Sequence, residues 1–292
     1  FIIIFMFSAI FPNKIKYFFD LIRLNKPIGF MLLMWPCWFA MTQVSKNFLE
    51  LISWYIYFFI GAFFMRSAGC IINDLADINL DNKVTRTSDR VLTSKKISIP
   101  ESILLLIFLL FLSFLILLKF NVNAILISLL SIPLIILYPF MKRYTYWPQL
   151  TLGIIFSWGV LVVAFQFTET TLYNFLILYI ACVFWTLAYD TIYAYQDLQD
   201  DIKNNIKSTA VLFGIKGRRY VLIFYNIFFI MLSILGYYSS KSFISLIVAI
   251  PLILVMNIYL NKWNLDSKYS CNYYFRFNNF IGLICFIFLI LF

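Results

Sequence analysis

Histidine is absent from all 292 residues of this chain. Imidazole acid–base chemistry, Ser-His-Asp triads and His-ligated metals are therefore excluded. Charge is scarce as well, at 12% of the residues; soluble globular chains carry about 25%. The five cysteines, Cys37, Cys70, Cys182, Cys271 and Cys285, are scattered and odd in number, with no C-x-x-C pair. They offer neither a disulfide framework nor zinc-site spacing. What fills the sequence is apolar: 63% by the broad count, with a mean hydropathy of +0.90. Disorder needs low hydrophobicity and is excluded; a water-soluble single domain is disfavoured. The composition is that of an all-α integral membrane protein.

A membrane-spanning helix needs roughly 20 mostly apolar residues. Nine segments approach that length: 28–45, 51–72, 101–119, 122–141, 148–167, 171–192, 219–238, 242–261 and 275–292. The opening run 1–11 is apolar, too short to span, and lacks the basic start of a signal peptide. Residues 1–20 therefore read as an interfacial or undefined lead-in, and 21–292 as a single polytopic domain. Placing successive loops on alternate sides puts nineteen Lys and Arg on one side and three, Lys46, Lys119 and Lys241, on the other. Arg66 falls within the second span. By the positive-inside rule the N-terminus and long loops are cytoplasmic and the C-terminus is outside.

A net charge of +10 would also suit a nucleic-acid binder. The basic residues are spread over five segments, however, and acids crowd the two longest. Of 13 Asp and Glu, only Glu50 and Glu169 fall on the outer side. Asp74, Asp77, Asp81 and Asp89 come after span two; Asp190, Asp197, Asp200 and Asp201 come after span six. On a helix, Asp74, Asp77 and Asp81 share one face, and Arg66, seven residues before Asn73 and eleven before Asp77, lies deeper on it. Were the helix of span six to continue, Asp190, Asp197 and Asp201 would share a stripe too. Like charges at helical spacing repel, so each stripe calls for a bound cation. Hard divalent cations take oxygen ligands, and Mg²⁺ uses one or two carboxylates, waters and substrate phosphates. Two such stripes, each trailed by Arg or Lys, describe a site for Mg²⁺ and a diphosphate. Asp74-Leu75-Ala76-Asp77 and Asp197-Leu198-Gln199-Asp200 share D-L-x-D, four spans apart. That spacing suggests two related four-helix halves plus a ninth helix.

At these residues the sequence resembles the UbiA superfamily of intramembrane prenyltransferases, most of all its 4-hydroxybenzoate polyprenyltransferase branch. The likeness runs over roughly 23–290. Its anchors are Lys26-Pro27-Ile28-Gly29, Arg66-Ser67-Ala68-Gly69-Cys70, Asn73-Asp74-x-x-Asp77-x-x-x-Asp81 and the stretch from Tyr138 to Thr145. Next in order are Ala188-Tyr189-Asp190-Thr191, Asp197-x-x-x-Asp201, Ile206–Ala210 with Phe213-Gly214, and Asn278–Gly282. Lys26 stands where the family usually has Arg; Leu198 and Gln199 stand where close relatives tend to carry Arg and an acid.

The resemblance implies nine spans around a central cavity, capped on the cytoplasmic side and open laterally to lipid, in a bacterial inner membrane. It implies Mg²⁺-dependent transfer of a polyprenyl group from its diphosphate to the ring carbon ortho to the hydroxyl of 4-hydroxybenzoate, in ubiquinone biosynthesis. Asn73, Asp74, Asp77, Asp81, Asp197 and Asp201 would then hold the metal against the diphosphate, and Arg86, Lys142, Arg143 and Lys207 would neutralise it. Asp190 is a candidate proton acceptor, or else a helix-end acid paired with Lys207 or a tyrosine. Arg66 is a candidate for the substrate carboxylate, since Arg forks onto carboxylates, or else a partner of Asp77 or Asp74. A mid-helix charge costs about 2.5–3.5 kcal/mol on insertion scales and marks a pathway or a pair. Some of the 34 Phe and 19 Tyr must line the tail's channel. Other readings are a different aromatic acceptor, an alcohol phosphotransferase, or a cation transporter with the acids as its ion path. No protein partner is implied.

Overall fold

The computed structural model describes residues 12–45, 47–167 and 172–292, and those residues contain helices and no strand. The opening run 1–11, Lys46 and Glu169 lie outside them. The described residues form fourteen α-helices: α1 (Pro12–Leu21), α2 (Ile28–Met41), α3 (Ile52–Asp81), α4 (Ile99–Leu117), α5 (Val122–Leu129), α6 (Ile132–Tyr144), α7 (Pro148–Phe156), α8 (Trp158–Gln166), α9 (Leu172–Ala194), α10 (Leu198–Lys203), α11 (Thr209–Phe213), α12 (Gly217–Ser240), α13 (Ile244–Asn261) and α14 (Lys268–Leu291). All nine expected spans are helical. Eight are long and apolar enough to cross a membrane, with α5–α6 and α7–α8 each counted as one. The first, α2, is shorter than expected at 14 residues, about 21 Å at 1.5 Å per residue. It lies inside the bundle, with Trp35, Phe39 and Met41 all buried, and runs from the end where Arg23 meets Asp74 to the end where Gln43 meets Ser239.

Local chemistry sets the boundaries. Ser98 and Glu101 form a reciprocal capping box at the start of α4, with Pro100 in the first turn where no N–H is needed. Asn121 caps α5 and also donates to the carbonyls of Phe165 and Gln166 at the end of α8. The fourth and fifth spans are broken, at Leu130–Ser131 before Pro133 and at Ser157. Pro133 lacks an N–H, which favours ending the preceding turn.

Helix α9 is the most enclosed long span, packed on α7, α12 and α14. Asn278 of α14 is fully buried; its Oδ1 accepts from Trp185 Nε1 (2.8 Å) and from Tyr225 Oη (2.8 Å), tying α9, α12 and α14 together. Asn279 accepts from Trp35 Nε1 (2.8 Å), and a Cβ on Gly282 would strike the Trp35 ring. In the Asn278–Gly282 stretch that carried part of the resemblance, Asn278 and Gly282 thus serve packing between α14 and its neighbours, and Asn279 also borders the cavity described below. By contrast α4, α5–α6 and α13 turn apolar faces outward, as lipid-facing helices do.

The loops gather at two ends. Asn121 with Gln166, and Gln43 with Ser239, meet at one end. At the other, Thr85 meets Asp200, Lys207 N–H donates to Lys142 O, and Asn204 donates to Lys83 O. This second end is the one that the nineteen basic residues mark.

Candidate active site

A cavity of about 1770 Å³ opens at the basic end and runs toward the other. Its polar part is lined by both acidic stretches and its deep part by apolar side chains, among them Phe58, Leu117, Phe120, Trp158 and Val162. Phe58, Phe120 and Trp158 are aromatics that the sequence alone could not pick out as channel-lining. Helix α4 packs on α3 and makes little contact with α5–α6, and both contribute to the lining, with Phe114 and Ile132 among their residues there.

The first stretch lies on unbroken helix, since α3 runs through Asp81. Asp74, Asp77 and Asp81 are buried on its cavity face, as the i, i+3, i+7 spacing requires. Each is met by a cation. Arg23 forks onto both oxygens of Asp74 (2.8 and 2.7 Å). Arg90 Nη1 bridges Asp74 (3.0 Å) and Asp81 (2.7 Å), and Lys142 Nζ reaches Asp77 Oδ2 at 2.5 Å. The other oxygen of Asp77, Oδ1, is buried without any hydrogen-bond partner.

The second stretch does not continue as one helix. After Ala194 the chain tightens into a 3-10 turn, Tyr195–Asp197, before α10. Tyr195 draws the turn aside: its hydroxyl donates to Gly214 O (2.6 Å), and its ring fills the space where a Cβ on Gly217 would stand. Three residues at about 120° instead of 100° rotate the start of α10 by roughly 60°. Asp197 and Asp201 face the cavity, whereas Asp200 turns out to accept from the Thr85 amide (3.1 Å) and hydroxyl. Arg86 forks onto Asp197 (2.8 and 2.5 Å) and donates to Tyr193 Oη (2.7 Å). Burial works against the Arg86 charge, but Tyr193 and Asp197 outweigh it and raise its pKa. Arg90 is raised too, its burial outweighed by Asp74 and Asp81. Asp201 accepts from Ser208 Oγ (3.1 Å).

Arg66 and Asp190 face each other's field deeper in. Arg66 makes no ion pair with Asp74 or Asp77 among the described residues; its Nη1 donates to Cys70 Sγ (3.0 Å), and its buried Nε has no partner. A Cβ on Gly29 would sit 2.9 Å from that Nε, so glycine is what leaves the guanidinium room. Asp190 lines the cavity with neither hydrogen bond nor ion pair to its carboxylate among the described residues, and Arg66 and Arg86 are the cations acting on it. Neither Lys207 nor a tyrosine pairs with it: Lys207 lines the cavity but donates to Tyr144 O (3.0 Å). Asn73 also lines the cavity. Arg143 does not; it donates to Ala76 O (2.9 Å) and stacks on Phe140. Arg23, Arg90 and Tyr193 are the site residues that sequence reasoning did not select. Arg90 trailed the first stretch visibly, whereas nothing but charge marked Arg23.

Among the described residues, no three carboxylates or thiols converge to hold a metal ion by themselves. The donors nevertheless suit a hard divalent cation that arrives with a diphosphate. They are all oxygen, Asp77 Oδ1 is unpartnered, and Mg²⁺ takes few carboxylates and completes its shell with water and phosphate.

Known proteins place this arrangement. Two bacterial proteins named 4-hydroxybenzoate octaprenyltransferase are similar along almost their whole length. That of Pseudoalteromonas translucida is 39% identical over 280 residues, 94% of each chain. That of Francisella tularensis subsp. mediasiatica is 41% identical over 277 residues, 94% of this chain and 96% of the relative. The fold is shared with an apo UbiA homologue from Aeropyrum pernix (TM-score 0.70, 21% identity, 88% of this chain and 96% of that one). It is shared also with a UbiA homologue from Archaeoglobus fulgidus bound to GPP and Mg²⁺ (TM-score 0.67, 17% identity, 94% and 98%). Membership sets aside the alcohol phosphotransferase and the cation transporter. With the UbiA prenyltransferase family matching residues 33–281, and relatives this similar over this much of the chain, the protein belongs to that family.

Proposed function

We propose that this integral membrane protein transfers a polyprenyl group from polyprenyl diphosphate to the ring carbon ortho to the hydroxyl of 4-hydroxybenzoate. The step is Mg²⁺-dependent, belongs to ubiquinone biosynthesis, and faces the cytoplasm of a bacterial inner membrane. The relatives' shared name supports the acceptor, and the Archaeoglobus fulgidus homologue bound to GPP and Mg²⁺ supports the donor and metal. One observation carries the reading. A single cavity joins a polar end, where carboxylates and cations alternate, to an apolar passage. A diphosphate and its lipid tail need such a continuous space.

Asp74, Asp77, Asp81, Asp197 and Asp201 would hold the metal, with Asn73 beside them. When bound, Mg²⁺ neutralises charge that builds on the departing diphosphate. Arg86, Lys142 and Lys207, joined by Arg23 and Arg90, add fixed positive charge there. The allylic C–O bond breaks with both electrons leaving on the diphosphate oxygen, and the cationic carbon is shielded from water by the apolar passage. Arg66, with an unpartnered Nε, takes the carboxylate of the aromatic acid and aims the ring at that carbon. The ortho carbon forms the new C–C bond, and its proton passes to Asp190, whose carboxylate is free to accept it. Arg143 is assigned to holding the end of α6 against α3.

The test is an assay on membranes carrying the protein, with labelled polyprenyl diphosphate, 4-hydroxybenzoate and Mg²⁺, with and without EDTA. Prenylated 4-hydroxybenzoate that vanishes on chelation is expected. No product from folded protein would overturn the acceptor and call for a panel of others.

A further inference from the structure

A second concavity of about 530 Å³ lies outside the cavity, between the start of α12 and the end of α13, and shares no lining residue with it. Lys216, Arg218 and Arg219 line it, and no Asp or Glu does. This is unlike the cavity, where Arg23, Arg86, Arg90 and Lys142 are each neutralised by an aspartate. The side chains of Lys216 and Arg219 make no hydrogen bond or ion pair among the described residues. Arg218 donates to Trp263 O through Nη2, but its Nε is buried with no partner. Three cations at one turn repel one another, so a groove of this composition favours an anion.

The rest of the groove is apolar. Leu222, Ile223 and Leu265 form its wall, and Ile215, at its rim, is 96% exposed. An isoleucine so exposed, beside three cations at the end of two membrane spans, sits where headgroups give way to acyl chains. The geometry points to a binding site for one anionic phospholipid: phosphate on Lys216, Arg218 and Arg219, acyl chain along Leu222 and Ile223. Basic pockets between transmembrane helices at the cytoplasmic side take such headgroups. The turn carrying Ile215 and Lys216 also contains Gly214, whose carbonyl accepts from Tyr195 in the 3-10 turn ahead of Asp197. A lipid held here therefore braces the same corner that orients the second acidic stretch.

The test uses the full-length protein, delipidated in neutral detergent and given cardiolipin, phosphatidylglycerol or phosphatidylcholine, with bound lipid read by native mass spectrometry. One retained anionic lipid per chain is expected, with phosphatidylcholine lost. The double variant Lys216→Gln/Arg219→Gln should bind it roughly thirtyfold more weakly, at about fivefold for each charge near the headgroups. Lys16→Gln/Lys83→Gln, which removes as much charge from the same end, should not differ from the parent. Equal retention of phosphatidylcholine, or equal loss in both double variants, would overturn the site. So would displacement of the lipid by millimolar inorganic phosphate, which would make it a site for a free anion. Without any substitution, cardiolipin should raise the melting temperature while phosphatidylcholine at equal mole fraction does not. The same melting point in both would count equally against the site.

Discussion

The two acidic stretches carry the same letters, Asp-Leu-x-Asp, at the ends of α3 and α9, yet the fold treats them differently. The first is a straight helix whose three cavity-facing carboxylates are all met by cations from other segments. The second is broken by the turn at Tyr195–Asp197, which sends Asp197 and Asp201 inward and Asp200 out onto Thr85. So the second Asp of the shared motif faces the cavity in one stretch and not in the other. The second stretch also leaves Asp190 without a partner, close to an equally under-satisfied Arg66. Similar letters therefore yield carboxylates met by cations on one side, and on the other a paired Asp197 together with the unpaired Asp190, to which we assign the proton transfer. A carboxylate already forked by arginine is a poor proton acceptor; one left free beside a substrate can serve.

Removing one clamp from either side tests the symmetry and should have the largest effect. Asp74→Ala and Asp197→Ala should each lower turnover by on the order of a thousandfold while the protein stays in the membrane, since transition-state charge loses its support. Full activity in either variant, measured against its amount in membranes, would end the shared metal-site assignment. The asymmetry is tested next. Asp190→Asn keeps shape but not basicity, and kcat should fall about a hundredfold or more, with KM for both substrates little changed. A rise in KM for the diphosphate instead would place Asp190 in the clamp. Arg66→Lys keeps the charge but loses the fork; a loss of roughly ten- to a hundredfold in kcat/KM for the aromatic acid is expected. That loss should leave KM for the prenyl diphosphate nearly unchanged, and an equal change in both would move Arg66 out of the acceptor's site. The smallest effect belongs to Arg143→Ala. Because Arg143 touches Ala76 O and not the cavity, initial rates should stay within about threefold, as for a surface hydrogen bond. A collapse of activity would show that it swings onto the diphosphate.

The sequence already carried the spans, the end at which both acidic stretches gather, and the carboxylates that line the cavity from them. Hydropathy and the side count of Lys and Arg are sums over many residues, so no single contact can upset them. Two features of the backbone escaped, besides the site residues Arg23, Arg90 and Tyr193. The 3-10 turn depends on Tyr195 reaching Gly214, nineteen residues on, and a helical wheel extended from α9 carries no trace of it. The first span was drawn longer than α2, because the turn at 42–44 that ends the helix leaves no mark in the hydropathy.

By itself, then, the sequence determined that this is a helical membrane protein with two acid-rich helix ends of one family's pattern. Only the tertiary structure decided which cation meets which carboxylate. Arg23 and Asp74 are 51 residues apart, Lys142 and Asp77 65, and Arg86 and Asp197 111. No local rule links residues so distant, because their meeting is set by how α1, α3, α6 and α9 pack around the cavity. The same packing left the Asp190 carboxylate and the Arg66 Nε without partners among the described residues, and that is where the chemistry is proposed to occur.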